Sequence, residues 1–210
     1  MSAPSTDHIS TVSIPALRGD GYGNYRIHLV GNSGAGKSTL GAELARLLGA
    51  ELISLDQVLW QPGWVVTPLP EFRAKVLAAI GQNKTWIVDG NYHTRLGTMV
   101  DDEATDVIWL DPPLVLYFPR LFLRTVLRLL RIVPPCSPGC GESFRDVCSS
   151  NGILWWCLSQ HWKVRKRQSE AYRTDNVWIG GKRRRIGGWG GELKSWRSEV
   201  EEMLTVGNVE

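Results

Sequence analysis

Residues 31–39 of the chain read Gly31-Asn32-Ser33-Gly34-Ala35-Gly36-Lys37-Ser38-Thr39. This stretch matches the pattern G-x-x-x-x-G-K-[ST] in full. Its glycines let the backbone wrap closely around phosphate groups, and successive backbone N–H groups supply positive potential. Lys37 can reach the terminal phosphates, and Ser38 offers a hydroxyl to Mg²⁺. The stretch therefore predicts a phosphate-binding loop, with all nine residues lining the bound nucleotide.

The residues on either side of the loop have the pattern that such a loop requires. Arg26–Val30 is a β-rich run that stops at Gly31, and Ser38–Leu48 carries leucines at helical spacing. The alternation then repeats, with further elements predicted at Leu52–Leu55, Glu71–Ile80, Trp86–Val88 and Asp106–Leu110. Strands that alternate with helices predict an α/β fold with a doubly wound parallel sheet.

The second half of the chain continues with longer helices. They are predicted at about Leu114–Ile132, at Ile153–Gln168 and within Leu193–Leu204. The last strand of the sheet has two candidates, Asn176–Ile179 and Leu193–Trp196. Residues 180–191 are rich in Gly and Arg and are predicted to be irregular.

Two segments are predicted to lie outside the regular elements. Residues 1–24 are polar and are predicted to be a flexible lead-in to one domain, residues 25–210. Residues 133–150 contain Pro134, Pro135 and Pro138, which break the preceding helix. A loop or lid segment is therefore predicted there.

Composition is that of an ordinary globular protein, but the charge is unevenly distributed. The 210 residues are 43% hydrophobic and 21% charged, with a net charge of +3. Residues 1–110 contain 8 Lys/Arg and 11 Asp/Glu, whereas residues 111–210 contain 16 and 10. A basic half that also holds several tryptophans suits phosphate-bearing ligands and could also suit nucleic acid.

No membrane or export segment is predicted. The run Leu114–Val133 is apolar but contains four arginines, which are too costly in a spanning helix. The first 24 residues contain no apolar stretch of the signal-peptide kind. We therefore expect a cytoplasmic protein without a membrane partner and with reduced cysteines. Its oligomeric state is left open.

Three aspartates, Asp56, Asp89 and Asp111, each follow a predicted strand. The carboxyl ends of parallel strands line one crevice, where ligands bind. Carboxylates there could hold Mg²⁺, accept a proton from an attacking hydroxyl or bind acceptor hydroxyls. A helix N-cap or a turn would also explain them, above all Asp111 before two prolines.

Four arginines, Arg120, Arg124, Arg128 and Arg131, follow one stripe of the predicted helix. A guanidinium can bind two phosphate oxygens at once, and several cations can share the charge of a transferring phosphoryl group. The stripe predicts either phosphate contacts or a solvated basic face, and not all four can point into one site. The run Lys182–Arg185 similarly predicts a solvated charge run or a nucleic-acid patch.

The cysteines offer a weak metal signal. Cys136, Cys140, Cys148 and Cys157 could form a zinc site with His161, but their spacings do not give two C-x2-C pairs. Buried or free thiols are the favoured interpretation.

Several stretches taken together carry a more specific signal: Arg26–Leu48, Leu55-Asp56 with Trp60–Trp64, Trp86–Tyr92 and Ile108–Pro113. They resemble the adenylate-kinase-like P-loop proteins, and within that group the proteins known as DNA topology modulation kinases. The resemblance implies a P-loop NTPase fold with a five-stranded parallel sheet, flanking helices, a lid and MgATP as donor.

The resemblance also implies roles for individual residues. Ser38 and Asp89 are implied to hold Mg²⁺, and the acceptor side is implied to consist of Asp56, Gly90, Asn91 and Tyr92. Catalysis is implied to rest on Lys37, Asp89, Arg120, Arg124 and Arg128.

The sequence therefore predicts a kinase that transfers the γ-phosphoryl group of MgATP to an unidentified small molecule of nucleoside or nucleotide type. NTP hydrolysis is the fallback activity. The alternative is a nucleotide-dependent nucleic-acid-binding protein that uses the basic, Trp-rich half. ATP is favoured over GTP because the chain has no Asn-Lys-x-Asp motif.

Overall fold

The first strand of the chain runs directly into the phosphate-binding loop, and strands and helices alternate from there. The computed structural model describes residues 14–147 and 152–207. The strands are β1 (Arg26–Gly31), β2 (Glu51–Ser54), β3 (Trp60–Gln61), β4 (Val65–Val66), β5 (Trp86–Asp89), β6 (Asp106–Leu110) and β7 (Arg183–Ile186). The helices are α1 (Lys37–Leu48), α2 (Leu55–Leu59), α3 (Leu69–Gln82), α4 (His93–Leu96), α5 (Met99–Glu103), α6 (Leu114–Leu129), α7 (Phe144–Val147), α8 (Ile153–Asp175) and α9 (Gly191–Gly207).

Five of the strands form one sheet in the order β2-β5-β1-β6-β7. All neighbours in this sheet pair in parallel, with β1 at the centre. β3 and β4 form a separate antiparallel hairpin. The predicted α/β fold with a five-stranded parallel sheet is therefore confirmed. Because the strands are parallel, the carboxyl ends of β1, β2 and β5 lie at one edge of the sheet.

The sheet is buried on both faces, as its nearly continuous apolar strands predict. On one face Ile27 of β1 packs with Leu44 of α1 and Trp196 of α9. On the other face Val30 of β1 belongs to the cluster that contains Phe72 of α3. This two-sided core holds the end of β1, and with it the phosphate-binding loop, in a fixed position.

The last strand of the sheet is β7, in the segment that was predicted to be irregular. Both predicted candidates were wrong, because residues 177–179 form a 3₁₀ helix and residues 193–196 belong to α9. β7 reads Arg183-Arg184-Arg185-Ile186 and lies at the edge of the sheet, where it pairs with β6 and Arg183 also bridges to Asn176. Three successive arginines hide the apolar alternation from which a strand is predicted.

The basic run Lys182–Arg185 is engaged with the rest of the chain. Lys182 Nζ donates to the carbonyl oxygens of Asp101 and Ala104, at 2.5 and 3.1 Å. Arg183 Nη2 lies 2.5 Å from Asp101 Oδ2. The remaining two arginines also donate to other parts of the chain. The run is thus neither a solvated face nor an open nucleic-acid patch, which corrects both predictions.

Residues 14–24 are packed onto the domain, which corrects the predicted flexible lead-in over this part. Ala16 and Leu17 are buried, and Trp196 Nε1 donates to the Ala16 carbonyl at 2.9 Å. The backbone N–H of Arg18 donates to Asp106 Oδ1 at 2.7 Å. Residues 1–13 of the predicted lead-in lie outside the described residues.

Residues 130–143, the connecting segment, link α6 to α7 and lie against the β3–β4 hairpin. Ser137 Oγ donates to the Trp60 carbonyl at 2.7 Å, and the Gly63 N–H donates to the Gly139 carbonyl at 3.0 Å. A Cβ at Gly139 would lie 2.7 Å from Pro62 Cβ, so only glycine allows this approach. A lid function for residues 133–150 stays a prediction, and residues 148–150 lie outside the described residues.

The two long helices differ slightly from their predicted bounds. α6 ends at Leu129 instead of Ile132, and Arg131 has a left-handed φ of 55°. α8 extends to Asp175, beyond the predicted end at Gln168. Within the described ranges, no helix is both long and apolar enough to cross a membrane.

Candidate active site

The phosphate-binding loop joins β1 to α1 and turns at positions that require glycine. Gly31 has a φ of 144°, and a Cβ there would overlap the carbonyl oxygen of Leu110 on β6. Gly36 has a φ of 100° and directly precedes α1. Side chains are strongly disfavoured in such conformations. The loop thus delivers the N-terminus of α1 to the edge of the sheet, where its free N–H groups attract anions.

Asn91 holds the first glycine of this loop in place. Its Nδ2 donates to the Gly31 carbonyl at 2.5 Å, and its Oδ1 accepts from the Gly31 N–H at 3.1 Å. Asn91 was predicted to contact the acceptor, but both ends of its amide are occupied by the loop. Glycine is required at position 90 by the packing, because a Cβ there would lie 2.8 Å from Leu55 Cβ.

Ser38 and Asp89 meet at the start of α1 and the end of β5. Ser38 Oγ donates to Asp89 Oδ2 at 2.5 Å, and Asp89 is buried. A hydroxyl and a carboxylate are hard oxygen donors of the kind that Mg²⁺ prefers, and Mg²⁺ takes its remaining ligands from waters and phosphates. The pair therefore fits the magnesium that the sequence predicts here.

Lys37 lies over the loop that it belongs to. Its Nζ donates to the Asn32 carbonyl at 3.2 Å. An ammonium on a flexible four-carbon chain can move from this carbonyl to phosphate oxygens without a change in the backbone. This position agrees with the predicted contact between Lys37 and the terminal phosphates.

Asn32 anchors the loop to α6 and α8. Its Nδ2 donates to Tyr117 Oη at 2.8 Å and to the Cys157 carbonyl at 3.2 Å. Tyr117 Oη lies 2.6 Å from His161 Nδ1. Burial raises the pKa of Tyr117 and lowers the pKa of His161, so both side chains are neutral near pH 7. Sequence reasoning missed Tyr117 and gave His161 only as a zinc candidate; no local pattern marks either as a loop anchor.

Arg124 is the arginine of the stripe that reaches the loop. Its Nη2 donates to Ser33 Oγ at 3.3 Å, while its Nε is buried without a hydrogen-bond partner. Burial lowers the pKa of Arg124, and repulsion from Arg128 adds to this effect. A buried guanidinium with an unpaired N–H is costly, and an anion at the loop would relieve that cost.

The other arginines of the stripe point elsewhere. Arg128 Nε donates to the Pro134 carbonyl at 3.2 Å, and its Nη1 lies 3.4 Å from Glu142 Oε1. Arg120 and Arg131 are exposed, and their side chains make no contact with a polar group of the described residues. The stripe therefore divides between the loop, the connecting segment and solvent, as its length requires.

Asp56 and Tyr92 form a hydrogen-bonded pair across the crevice. Asp56 lies in the first turn of α2, two residues beyond the end of β2 and not directly at it as predicted. Tyr92 Oη donates to Asp56 Oδ1 at 2.5 Å, and its ring packs edge-on against Phe72 with centroids 5.8 Å apart. Burial, and then the Asp56 charge, raise the pKa of Tyr92 far above its ordinary value. Tyr92 is therefore a neutral donor that orients the exposed Asp56 carboxylate.

The charge of Asp56 affects Arg124, which contacts the phosphate-binding loop. Burial and the charge of Arg128 lower the pKa of Arg124, and the negative charges of Glu142 and Asp56 partly oppose that effect. Burial and then Asp56 raise the pKa of the Cys136 thiol. One oxygen of Glu142, Oε2, is buried without a partner. The connecting segment therefore adds Glu142, which pairs with Arg128, to the charges around Arg124, which the sequence did not predict.

Asp111 forms ion pairs with two arginines, a role that the sequence did not predict. Its Oδ2 lies 2.6 Å from Arg185 Nη2 and 3.3 Å from Arg165 Nε. The Arg185 guanidinium also lies over the Trp109 ring, 5.1 Å from its centroid. Asp111 therefore fastens the end of β6 to β7 and α8.

A buried histidine behind the loop was missed. His28 Nε2 lies 2.9 Å from the Gly90 carbonyl oxygen, and its Nδ1 lies 2.5 Å from Asp101 Oδ1. Because both partners are acceptors, both contacts are hydrogen bonds only when both ring nitrogens carry protons. Burial would raise the pKa of Asp101, but His28 and Arg183 together hold it well below its usual range. The Gly90 turn is thus held by His28 of β1, which contacts Asp101 of α5, and Asp101 in turn pairs with Arg183 of β7.

The described cysteines do not form a metal site. Cys136, Cys140 and Cys157 are free thiols, and Cys148 lies outside the described residues. Across residues 14–147 and 152–207, no group of three or more His, Cys, Asp and Glu side chains could hold a metal ion.

Comparison with solved structures gives one similarity of fold, to a shikimate kinase, and two weaker similarities. Shikimate kinase from Acinetobacter baumannii in complex with shikimate is 19% identical, over 87% of this chain and 94% of that protein, with a TM-score of 0.51. Shikimate kinase from Bacteroides thetaiotaomicron is 17% identical, over 86% of this chain and 98% of that one, with a TM-score of 0.45. A gluconokinase from Sinorhizobium meliloti 1021 is also 17% identical, over 87% and 93%, with a TM-score of 0.45.

At this identity the first of these similarities shows the fold alone, and the other two are too weak to add to it. The α/β fold, with a P-loop and a five-stranded parallel sheet flanked by helices, is the one that the sequence predicts. The finer resemblance to DNA topology modulation kinases has no counterpart among these structures. No protein-family model and no curated protein matches the chain.

Proposed function

We propose that the protein is an ATP-dependent kinase that transfers the γ-phosphoryl group of MgATP to a small-molecule acceptor. The observation that carries this proposal is the position of Arg124. Its guanidinium donates a hydrogen bond to Ser33 of the phosphate-binding loop, and the charge of Asp56 contributes to its pKa. Its buried Nε–H has no hydrogen-bond partner. A buried cation at the nucleotide loop that also interacts electrostatically with an exposed carboxylate suits the transfer of a phosphoryl group.

On the donor side, the chain supplies both positive charge and metal ligands. Lys37 and the N–H groups at the start of α1 bind the β- and γ-phosphates. Ser38 and Asp89 would hold the Mg²⁺, which would supply positive charge to neutralise the phosphates. Arg124 gives up its contact with Ser33 and donates to the γ-phosphoryl oxygens.

On the acceptor side, Asp56 acts as the general base. A hydroxyl of the acceptor attacks the γ-phosphorus, its O–H proton goes to the free oxygen of Asp56, and the bond to the β-phosphate bridging oxygen breaks. Tyr92 keeps the Asp56 carboxylate oriented through its hydrogen bond. The products are a phosphorylated acceptor and the nucleoside diphosphate.

The first test is Lys37→Ala. Loss of the ammonium removes charge that is needed in the transition state, so we expect transfer to fall by about 10³-fold or more. Lys84→Ala, at an exposed lysine that makes no polar contact with the described residues, is the matched control and should retain parent activity. Phosphoryl transfer from radiolabelled MgATP measures both. Unchanged transfer in Lys37→Ala would contradict the assignment.

A second variant separates transfer from hydrolysis. Asp56→Asn keeps the shape of the side chain but removes its basicity, so transfer to the acceptor should fall about 10²-fold or more. Slow ATP hydrolysis, which uses the loop and Arg124, should persist. If transfer and hydrolysis fall equally, Asp56 does not act on the acceptor.

The acceptor is to be found with a transfer screen. Nucleosides and nucleotides come first, because the sequence resemblance favours them. Hydroxylated organic acids belong in the same screen, because the shikimate kinase of similar fold was solved with shikimate. The comparisons with solved structures give no support to the nucleic-acid alternative, and the cations of Lys182–Arg185 are engaged within the protein.

A further inference from the structure

Two neighbouring helices, α6 and α8, expose large apolar side chains to solvent. We define them as the apolar face: Val115, Phe122, Leu123, Leu130, Trp155, Trp156, Leu158 and Trp162. Trp162 is 69% exposed and Val115 is 67% exposed. Single exposed apolar residues are ordinary, but a set of eight on adjoining elements indicates a surface that meets a partner.

The apolar face is the outward side of both helices. On α8, Trp155 and Trp162 lie two turns apart, on the side opposite to the buried Val164. On α6, Val115 and Phe122 have the same spacing and face away from the buried interior. The inward sides of the helices meet in one cluster that contains Tyr117, Leu121 and Cys157. Because α6 and α8 also pack against each other, their exposed side chains lie on neighbouring parts of the surface.

This part of the chain is strongly cationic. Residues 112–169 contain nine Lys/Arg and two Asp/Glu, and neither α6 nor residues 153–169 of α8 contain an acidic residue. The exposed cations Arg120, Lys163 and Lys166 form no ion pair with the described residues. Tryptophans and aliphatic side chains beside unneutralised cations complement an apolar layer that lies beneath anionic headgroups.

We propose that the apolar face binds the surface of an anionic lipid bilayer, with α6 and α8 lying along its headgroup region. The sequence-based expectation of no membrane partner rested on the cost of arginines in a spanning helix. That cost does not apply to a helix on the surface, where apolar side chains enter the interface and cations stay with the headgroups. This inference is independent of the proposed kinase activity.

Other occupants fit this surface less well. A second copy of the chain would bring two cationic faces together, which costs electrostatic energy. Single-stranded nucleic acid stacks its bases on aromatic rings, whereas Val115, Leu123 and Leu130 offer no ring. An anionic bilayer uses both the aliphatic and the cationic components.

The test is co-sedimentation of the purified full-length protein with lipid vesicles. One set is phosphatidylcholine alone, and the other contains about one third phosphatidylglycerol. We expect binding to the anionic vesicles to be at least about tenfold stronger and to weaken with added salt. The double variant Trp155→Ser/Trp162→Ser should lose about tenfold or more of that binding, because both anchors are removed.

Trp178→Ser is the matched control, because Trp178 is 71% exposed and lies outside the apolar face. It should bind vesicles like the parent. Circular dichroism should show parent helix content in both variants.

Three outcomes would overturn the proposal. The first is equal vesicle binding by the parent and the double variant. The second is a dimer in sedimentation velocity that the double variant loses, which would show that a second copy covers the face. The third is binding of single-stranded DNA without any binding of anionic vesicles.

Discussion

β7 and α6 both carry arginines at short intervals, but the two sets differ in whether their side chains have partners within the protein. In β7 and the residue before it, all four cations of Lys182–Arg185 donate to carbonyls or carboxylates of distant segments. On α6, Arg124 keeps an unpaired buried N–H and Arg120 makes no polar contact with the described residues. The same residue type thus fastens an edge strand in one place and is left available in the other.

The difference follows from which acceptors the fold brings within reach. β7 lies beside β6 and near α5, whose carboxylates and terminal carbonyls need donors. α6 lies over the phosphate-binding loop, where the side chain of Arg124 donates to Ser33 and to no other side chain of the described residues. Paired cations should therefore govern stability, and unpaired cations should govern ligand binding.

The largest expected effect is on the unpaired side of this comparison. Arg124→Ala should reduce phosphoryl transfer about 10³-fold, equivalent to about 4 kcal/mol of transition-state stabilisation. Its unfolding free energy should change little, because the Nε that it removes has no partner. Steady-state kinetics and urea denaturation measure the two quantities. Arg120→Ala, one turn away and exposed, should leave both unchanged, and equal losses in the two variants would remove the distinction.

On the paired side, Arg183→Leu should lower the free energy of unfolding by about 3 kcal/mol. The Arg183 side chain is 11% exposed and pairs with Asp101 and Asp175, so its loss leaves a buried carboxylate with one cation fewer. Lys166→Ala removes an exposed cation without a partner and should change the free energy of unfolding by less than about 0.5 kcal/mol. Similar values for the two variants in urea denaturation would show that the β7 contacts contribute no more than a surface charge.

A smaller effect is expected on the pH dependence of stability. The native pKa of Asp101 lies below its ordinary value of 3.8, because His28 and Arg183 outweigh the effect of burial. Its stabilising contribution is therefore complete above pH 3.8 and is lost as the pH falls through the lower native value. Asp101→Asn should be about 2 kcal/mol less stable than the parent at pH 7.

That difference should shrink in acid, when the parent loses the same charge. Chemical denaturation of both proteins at a series of pH values measures it. A constant difference down to the acid transition would mean that the lowered pKa of Asp101 is not linked to folding.

Much of the site could be read from the sequence, because its donor side is local. Lys37 and Ser38 belong to one continuous motif, and Asp89 was placed by the end of a strand with a clear apolar pattern. Arg124 was found only as one of four equivalent arginines, since helical spacing cannot tell which turn of a helix meets the loop. Asn91 was assigned to the acceptor, because nothing local shows that Gly31 is its neighbour.

The sequence alone determined the phosphate-binding loop, the parallel sheet around it and the position of Asp89 at the end of a strand. These follow from backbone geometry and apolar periodicity over a few residues. Only the tertiary structure decided that Arg183–Ile186 is the fifth strand, that His28 and Asp101 support the Gly90 turn, and that Arg124 is the arginine at the loop. Each of these depends on partners about 60 to 90 residues away. The energy of a buried charge is set by what surrounds it in space, and spacing along the chain does not record that.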